Sequence, residues 1–306
     1  MTAGLDRLRR AILLGATLAP IANMTRAASA STPATRPIPK SGEPLPVVGL
    51  GTWQVFDVAG EAQATADARA ALERFVALGG RVIDSSPMYG SSESVSGELA
   101  ESLGVRNRLF WATKVWISGK DAGIAQMRES MRRLRTPRVD LMQVHNLVDV
   151  QTQLATLAQW KRDGLVRYVG VTHYTLSAYA EVERVMRANE LDFLQINYSL
   201  VERGAAERLL PLAAERRIAV LVNRPFAEGA FFSRVKGKPL PPVAAELGCT
   251  TWAQLALKWI LGNPAVTCAI PGTRNAKHVE DNMAAATAPL PDEAARAKIA
   301  AAFDAL

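Results

Sequence analysis

Three ionisable side chains, Asp84, Lys114 and His145, each lie at the end of a run of β-forming residues. Tyr89 follows Asp84 by five residues, in a segment rich in serine and glycine. Packing alone does not account for charged residues at these positions, because burying an unpaired charge is costly. A lysine ammonium beside a phenol favours phenolate and predicts a Tyr89 pKa below its ordinary value of about 10. Tyr89 would then act as a general acid toward a carbonyl oxygen, which His145 would hold by a hydrogen bond.

The same residues also fit a structural interpretation, in which Asp84 and Lys114 form only an ion pair in the core. All three histidines of the chain, His145, His173 and His278, lie at predicted strand ends or in the loop just past one, and this placement favours an active site. Other chemistries find no support in the sequence. No serine lies in the glycine-flanked turn of a hydrolase, and no cluster has the ligand spacing of a metal site, so we expect no metal.

Short runs of β-forming residues alternate with helical periodicity along the body of the chain. Eight strands alternating with helices imply a parallel sheet, and in 306 residues they predict an α/β fold, a (β/α)8 TIM barrel. The predicted strands are 47–50, 81–84, 109–114, 139–145, 166–171, 193–197, 218–223 and 267–270. The predicted helices include 64–78, 124–134, 150–162, 176–189, 252–261 and 292–305.

A doubly wound nucleotide-binding fold is the alternative architecture. Gly49 and Gly51 form a G-x-G after the first strand, but no third glycine and no prompt helix complete the fingerprint. We therefore assign residues 47–306 to one barrel, preceded by a proline-rich linker and hairpin at 31–46. In such a barrel the active site lies at the carboxyl ends of the strands, which is where the catalytic candidates are.

The formal net charge of +7 raises nucleic acid or an acidic membrane surface as a partner. The first thirty residues hold four arginines against one aspartate, so they supply much of this charge. The rest is spread along helices that alternate in sign, as at Glu181, Glu183, Arg184 and Arg187. A solvated helical face explains this pattern better than a nucleic-acid surface does, so no nucleic acid is expected. Two cysteines cannot form a disulfide framework.

Residues 1–30 are typical of an export signal. A basic stretch ends in Arg9-Arg10, a mild apolar run of about a dozen residues follows, and the Ala-Ser-Ala of residues 28–30 matches a signal-peptidase site. The run is too short to span a bilayer of about 30 Å, so no stable membrane insertion is expected. The arginine pair favours the Tat translocon over Sec export. We expect a periplasmic or exported protein, or a cytoplasmic one if this segment is only an N-terminal extension.

Six short motifs follow one another at the predicted strand ends. They are Ile83-Asp84-Ser-Ser-x-x-Tyr89-Gly90-x-Ser-Glu93, Ala112-Thr113-Lys114, Val139-Asp140-Leu-x-Gln-Val-His145, Gly170-Val171-Thr172-His173, Gln195-x-Asn197-Tyr198-Ser199-Leu200, and Ile270-Pro271-Gly272-Thr273 ending in Asp281-Asn282. In this order and spacing they resemble the aldo/keto reductase family over residues 47–282. The resemblance implies NADP(H)-dependent reduction of aldehyde or ketone carbonyls to alcohols by direct hydride transfer. It also implies that Asp84, Tyr89, Lys114 and His145 are the catalytic residues.

The resemblance carries a set of cofactor contacts onto this chain. Thr172, His173 and Gln195 would hydrogen-bond the nicotinamide carboxamide. Arg224 would contact the pyrophosphate, since a guanidinium suits phosphate oxygens, or would be only a surface charge. The full set is Thr52, Thr172, His173, Gln195, Asn223, Arg224, Pro225, Gly272, Thr273, Arg274, His278, Asp281 and Asn282.

Several of these positions depart from the family pattern. Thr172 and His173 replace a serine-asparagine pair of the family. Asn223 stands where many relatives have a tyrosine that stacks on the nicotinamide. Gly272 and His278 stand where a lysine and an arginine usually hold the 2′-phosphate of NADP. Thr273 keeps a hydroxyl and Arg274 adds a guanidinium, and the N-terminus of the helix that follows favours a phosphate. We therefore expect NADP(H) to be preferred over NAD(H), by a reduced margin.

Trp53, Trp116 and Asn146 are the candidates for the substrate pocket, although an aromatic residue at a strand end also serves barrel packing. The expected partner is a small carbonyl substrate, with the Tat translocon as a partner during export, and the chain is expected to be a monomer. The alternative function is a regulatory barrel that binds a nicotinamide cofactor with little turnover. The complete set of four catalytic residues argues against that alternative.

Overall fold

The computed structural model describes residues 33–287 and 289–306. The segment assigned to an export signal, residues 1–30, lies outside the described residues. The described chain begins with an antiparallel hairpin, in which β1 (Thr35–Pro37) pairs with β2 (Pro44–Pro46). This hairpin occupies the proline-rich segment for which the sequence predicts one.

Eight further strands form one parallel sheet in chain order, so each strand pairs with the next. They are β3 (Leu50–Gly51), β4 (Val82–Asp84), β5 (Phe110–Val115), β6 (Val139–His145), β7 (Val166–Thr172), β8 (Phe193–Asn197), β9 (Ala219–Asn223) and β10 (Cys268–Ala269). Bridges from Val48 to Ala269 and from Gly51 to Gly272 join the two edges of the sheet. The sheet is therefore curled into a barrel, which confirms the predicted (β/α)8 architecture.

Helices connect the strands and pack around the barrel. They are α1 (Ala62–Ala77), α2 (Ser92–Ser102), α3 (Lys120–Arg133), α4 (Val150–Arg162), α5 (Tyr179–Ala188), α6 (Leu209–Glu215), α7 (Ala230–Val235), α8 (Pro242–Glu246), α9 (Trp252–Leu261), α10 (Ala276–Ala284) and α11 (Glu293–Asp304). The side chains of Thr251, Asn275 and Asp292 accept hydrogen bonds from backbone N–H groups in the first turns of α9, α10 and α11. These caps determine where the three helices begin.

The first and last strands of the barrel are shorter than the sequence predicts. β3 has two residues rather than the four of 47–50, and β10 has two rather than the four of 267–270. These strands meet each other through single bridges, so fewer of their residues lie in a continuous ladder. α5 begins at Tyr179 rather than at residue 176, because a 3₁₀ turn occupies Leu176–Ala178.

The hairpin closes the amino-terminal end of the barrel with apolar side chains. Ile38 and Leu45 are fully buried and pack in one cluster with inward-facing residues of the strands, among them Val82, Phe110 and Phe193. A second and larger apolar cluster lies between the sheet and the helices. Burial of this apolar surface is the main stabilising contribution to the fold. The polar side chains with candidate catalytic roles lie at the opposite, carboxyl-terminal end of the barrel.

Charges on the helices pair along the surface. On α5, Arg184 pairs with Glu181 and Arg187 with Glu183, as expected of a solvated helical face. No helix among the described residues combines the length and the apolar character needed to cross a membrane.

Candidate active site

Four side chains meet at the carboxyl ends of three consecutive strands. Asp84 ends β4, Lys114 is the penultimate residue of β5, and His145 ends β6. Tyr89 lies in the loop between β4 and α2, and its backbone N–H donates to the Ser86 carbonyl at 3.0 Å. The structure thus brings together the four residues whose types the sequence singles out for chemistry.

Lys114 lies at the centre of this group and has no solvent exposure. Its ammonium donates to Asp84 Oδ2 at 2.8 Å and to the Ser85 carbonyl at 2.7 Å, and Nζ lies 4.8 Å from the centre of the Tyr89 ring. Burial is the largest single effect and disfavours the ammonium, but the Asp84 carboxylate and Tyr89 together outweigh it and hold the Lys114 pKa above its ordinary value. The buried ion pair expected from the sequence is therefore confirmed, and Lys114 stays charged.

The direction predicted for the Tyr89 pKa is wrong. Burial raises the pKa of the phenol, and Asp84 adds to the rise, while Lys114 opposes it without overcoming it. The neutral phenol is therefore the stable form at neutral pH. Lys114 limits the free-energy cost of forming a phenolate in this buried place, so Tyr89 holds its proton at rest and can release it beside a cation.

The second oxygen of Asp84 is held by two glutamines. Gln195 Nε2 donates to Asp84 Oδ1 at 2.7 Å, and Gln143 Nε2 does so at 3.3 Å. Gln195 Oε1 in turn accepts from the Thr172 hydroxyl at 3.0 Å. Sequence reasoning missed Gln143, although it lies two residues before His145 in β6 and alternation in a strand places both on the same face. These bonds fix the carboxylate that faces Lys114.

His145 is held as a neutral ring. Burial lowers its pKa to about 3, and the nearby Lys114 cation and His173 act in the same direction. Nδ1 lies 3.3 Å from Ser86 Oγ, and a Ser86 hydroxyl that donates to it leaves the proton on Nε2. The ring stands edge-on to Tyr89, with centroids 6.2 Å apart, and 5.9 Å from the Trp116 ring. A neutral imidazole in this position can donate a hydrogen bond without carrying charge.

A cavity of 1040 Å³ opens above these residues. Most of the residues that the sequence assigns to catalysis, cofactor or substrate line it. They are Thr52, Trp53, Asp84, Tyr89, Trp116, His145, Asn146, Thr172, Gln195, Asn223, Arg224, Pro225 and Gly272. The cavity is large enough for a dinucleotide-sized molecule together with a small second ligand.

The remaining assigned residues do not line this cavity. Lys114 is buried behind Asp84 and Tyr89, and His173 Nδ1 accepts from the backbone N–H groups of Tyr174 and Thr175 at 3.0 and 3.3 Å. The others lie on α10 and in the loop between β10 and α10. They are Thr273, Arg274, His278, Asp281 and Asn282. Their cofactor roles stay predictions.

Two of these residues have contacts of their own within the barrel. The Asp281 carboxylate accepts from the Thr251 hydroxyl at 2.9 Å and from Gln254 Nε2 at 2.7 Å, which ties α10 to α9. The Thr273 hydroxyl accepts from the Asn275 backbone N–H at 3.0 Å. Both residues therefore have an evident role in shaping the segment around the start of α10.

A model of the aldo/keto reductase family matches residues 47–301 of this sequence. The match spans the whole barrel, including Asp84, Tyr89, Lys114 and His145. The chain belongs to the aldo/keto reductase family. It is therefore an oxidoreductase, and its (β/α)8 barrel carries the active site.

Individual relatives agree with this assignment. The chain is 28% identical over 247 residues to the methylglyoxal reductase YeaE of Escherichia coli, covering 78% of this chain and 85% of that one. It is 31% identical over 238 residues to an uncharacterized oxidoreductase of Schizosaccharomyces pombe, covering 73% and 75%. A Klebsiella pneumoniae aldo/keto reductase solved with NADPH is 25% identical and superposes with a TM-score of 0.75 over 89% of this chain and 95% of that one.

This aldo/keto reductase also lines its cavity with apolar residues that sequence reasoning missed. Met88, Tyr174 and Phe232 all contribute to the lining while remaining between 43% and 45% exposed. Met88 precedes Tyr89 and Tyr174 follows His173, so adjacency to a site residue was the available signal for both. Phe232 lies on α7, and no feature of the sequence places that helix at the mouth of the barrel.

Proposed function

We propose that this aldo/keto reductase uses NADPH to reduce aldehyde or ketone carbonyls to alcohols, with Tyr89 as the proton donor. The observation that carries the proposal is the position of the Lys114 ammonium, bonded to Asp84 and 4.8 Å from the centre of the Tyr89 ring. A phenol that is neutral at rest and lies beside a fixed cation is suited to general acid catalysis. Relatives named methylglyoxal reductases support a carbonyl substrate.

The cavity offers polar groups that fit a nicotinamide dinucleotide. The buried atoms Asn146 Oδ1, Asn223 Oδ1 and Arg224 Nε have no hydrogen-bond partner among the described residues, and all three residues line the cavity. Two free carbonyl acceptors match the amide of a nicotinamide, and a free guanidinium N–H matches a phosphate oxygen. A Klebsiella pneumoniae relative, 26% identical with a TM-score of 0.71 over 86% of this chain and 93% of its own, was solved with NADP.

In the proposed mechanism the protein orients the carbonyl and supplies a proton. Bound NADPH is the source of a hydride for the carbonyl carbon. His145, as a neutral hydrogen-bond donor, holds the carbonyl oxygen near Tyr89. Tyr89 Oη gives its proton to that oxygen, and Lys114 stabilises the phenolate left behind. Asp84 and its two glutamine partners keep the ammonium in place throughout.

The experiment that tests this function is consumption of NADPH with a panel of carbonyl compounds. We expect oxidation of NADPH with aldehydes such as methylglyoxal and benzaldehyde, followed at 340 nm. Tight binding of NADPH without turnover on any carbonyl would instead favour a regulatory, cofactor-binding barrel.

Preference for NADP(H) over NAD(H) is a further part of the proposal and depends on Arg274. Arg274 is exposed next to the start of α10, and Asn275 already caps that helix by accepting from the Lys277 N–H. The Arg274 guanidinium is therefore the group that would bind a 2′-phosphate. A charge-assisted hydrogen bond of this kind contributes about 1.5–3 kcal/mol to the binding free energy. We expect Arg274→Ala to weaken NADPH binding by about tenfold or more and to leave NADH binding unchanged.

Fluorescence titration of both reduced cofactors measures this effect. Lys277→Ala, which removes a neighbouring cation on α10, is the matched control and should change neither affinity by more than about twofold. Equal affinities of the wild-type protein for the two cofactors would contradict the assignment of Arg274.

We also propose that residues 1–30 direct export through the Tat translocon, with mature protein beginning at Ser31. The arginine pair and the Ala-Ser-Ala of residues 28–30 support this proposal. Changing Arg9-Arg10 to Lys-Lys should leave an unprocessed precursor in the cytoplasm, detected by fractionation and immunoblotting. Processed protein in the periplasm of that variant would point to Sec export.

A further inference from the structure

A pair of hydrogen bonds on one carboxylate joins the loop after β3 to the loop that carries Tyr89. Asp57 Oδ1 accepts from the Ser91 backbone N–H and from the Ser91 hydroxyl, both at 2.8 Å. Ser91 Oγ also accepts from the Ala59 backbone N–H at 3.1 Å. Ser91 is only two residues past Tyr89, so these bonds connect the segment around residues 57–59 directly to the Tyr89 loop.

Gly90, between Tyr89 and Ser91, packs directly against the same carboxylate. Its φ of +56° lies in the left-handed region, and a Cβ built on it would lie 2.3 Å from both carboxylate oxygens of Asp57. Only glycine fits this contact. The backbone that follows Tyr89 therefore rests on Asp57 through two hydrogen bonds and a close steric contact.

The residue after Ser91 is fixed to the same neighbouring loop. The Ser92 hydroxyl donates to the Thr52 carbonyl at 3.2 Å, and the Ser92 backbone N–H donates to the Tyr89 carbonyl at 3.0 Å. Thr52 lines the cavity and begins the loop that contains Asp57. On the far side of Tyr89 the loop is held at Ser86, whose carbonyl accepts from the Tyr89 N–H. The contacts at Ser86, Thr52 and Asp57 together hold the Tyr89 loop. They therefore fix the position of the Tyr89 ring relative to Lys114.

We propose that Asp57 is a positioning residue for the reaction, which holds the Tyr89 phenol at the place where it can protonate a carbonyl oxygen. This inference rests on the proposed function for its catalytic consequence. Asp57 does not line the cavity and forms no hydrogen bond or ion pair with Lys114 or His145 in the described structure. The Ser91 donors hold the Asp57 pKa below its ordinary value, so the carboxylate accepts both bonds in its charged form, in which such bonds are stronger.

Three variants of the full chain test the role. Asp57→Ala removes the acceptor, and a displacement of Tyr89 of about 1 Å should lower kcat by 10- to 100-fold, with the NADPH Kd within about twofold of wild type. Asp57→Asn keeps Oδ1 as an acceptor and should recover at least half of the wild-type kcat. Asp67→Ala is the matched control, because Asp67 accepts a single bond from Gln63 on the same helix, and it should leave kcat unchanged.

Hydrogen exchange of the backbone amides provides a reading that does not require turnover. In Asp57→Ala the peptide that contains residues 89–92 should exchange faster than in wild type, and in Asp57→Asn it should not. Unchanged exchange in Asp57→Ala would overturn the inference, including in a protein that reduces none of the carbonyls tested. The inference would also be overturned if the fall in kcat only matched the loss of folded protein measured by circular dichroism. Failure of Asp57→Asn to restore kcat would overturn it too.

Discussion

Replacing Tyr89 with phenylalanine should reduce kcat for carbonyl reduction to below a few per cent of the wild-type value while cofactor affinity changes little. The reason is that only the proton donor is removed, and a positioned general acid contributes about 10²- to 10⁴-fold to the rate. The phenyl ring still fills the space beside Lys114 and His145, so the cavity keeps its shape. Steady-state kinetics at saturating NADPH and a cofactor titration measure the two effects separately.

Tyr168→Phe is the control for this prediction. Tyr168 packs in the apolar cluster at the opposite end of the barrel, where its hydroxyl donates to Glu43 at 2.7 Å. Its loss should leave kcat per folded molecule at the wild-type level. If Tyr89→Phe kept more than a few per cent of kcat, another group would be the proton donor.

Replacing Lys114 with methionine should be damaging in two ways. The phenolate formed at Tyr89 would lose its neighbouring cation, so proton transfer would slow at least as much as in a typical general-acid defect. The Asp84 carboxylate would also be left buried without its charge partner, and breaking a buried ion pair in this manner costs about 3–5 kcal/mol. Denaturant unfolding and kcat on the remaining folded protein measure the two losses.

A double variant distinguishes them. Lys114→Met with Asp84→Asn removes the unpaired charge while keeping the side-chain volumes, so most of the stability should return. Activity should not return, because the cation beside Tyr89 is still absent. Recovery of kcat together with stability would show that Lys114 acts only through the fold.

The residues at the strand ends were predictable from the sequence, because in a (β/α)8 barrel the side chains at the carboxyl ends of successive strands lie close together. Asp84, Lys114 and His145 are far apart in the chain, but each lies at or next to the end of a strand. Consecutive parallel strands carry their carboxyl ends to one face of the barrel. Gln143 was predictable as well, because side chains two residues apart in a strand lie on the same face and Gln143 precedes His145 by two. The barrel and the proximity of these strand-end side chains were therefore accessible from local pattern, whereas Phe232 on α7 was not.

The sign of the Tyr89 pKa shift was not accessible in the same way. Lys114 is recognisable as a neighbour from the sequence, but the burial of the phenol depends on residues from many elements. Desolvation then outweighs a single charge. The contact of Asp57 with Ser91 could not be predicted from the sequence either. It joins two irregular loops, and no periodic pattern in the sequence encodes their paths.

The closure of the barrel has a consequence for how the chain folds. The Arg36 guanidinium in the hairpin donates to the carbonyls of Leu261 and Asn263, 225 and 227 residues away, and Ala34 bonds to Ala286. The sheet also closes into a barrel only when Val48 pairs with Ala269. Contacts of such sequence separation carry a large loop-closure entropy and slow folding. During synthesis the first strands must wait, with their edge unpaired, until the last strand leaves the ribosome, so the nascent chain is exposed to aggregation or chaperone capture for most of its translation.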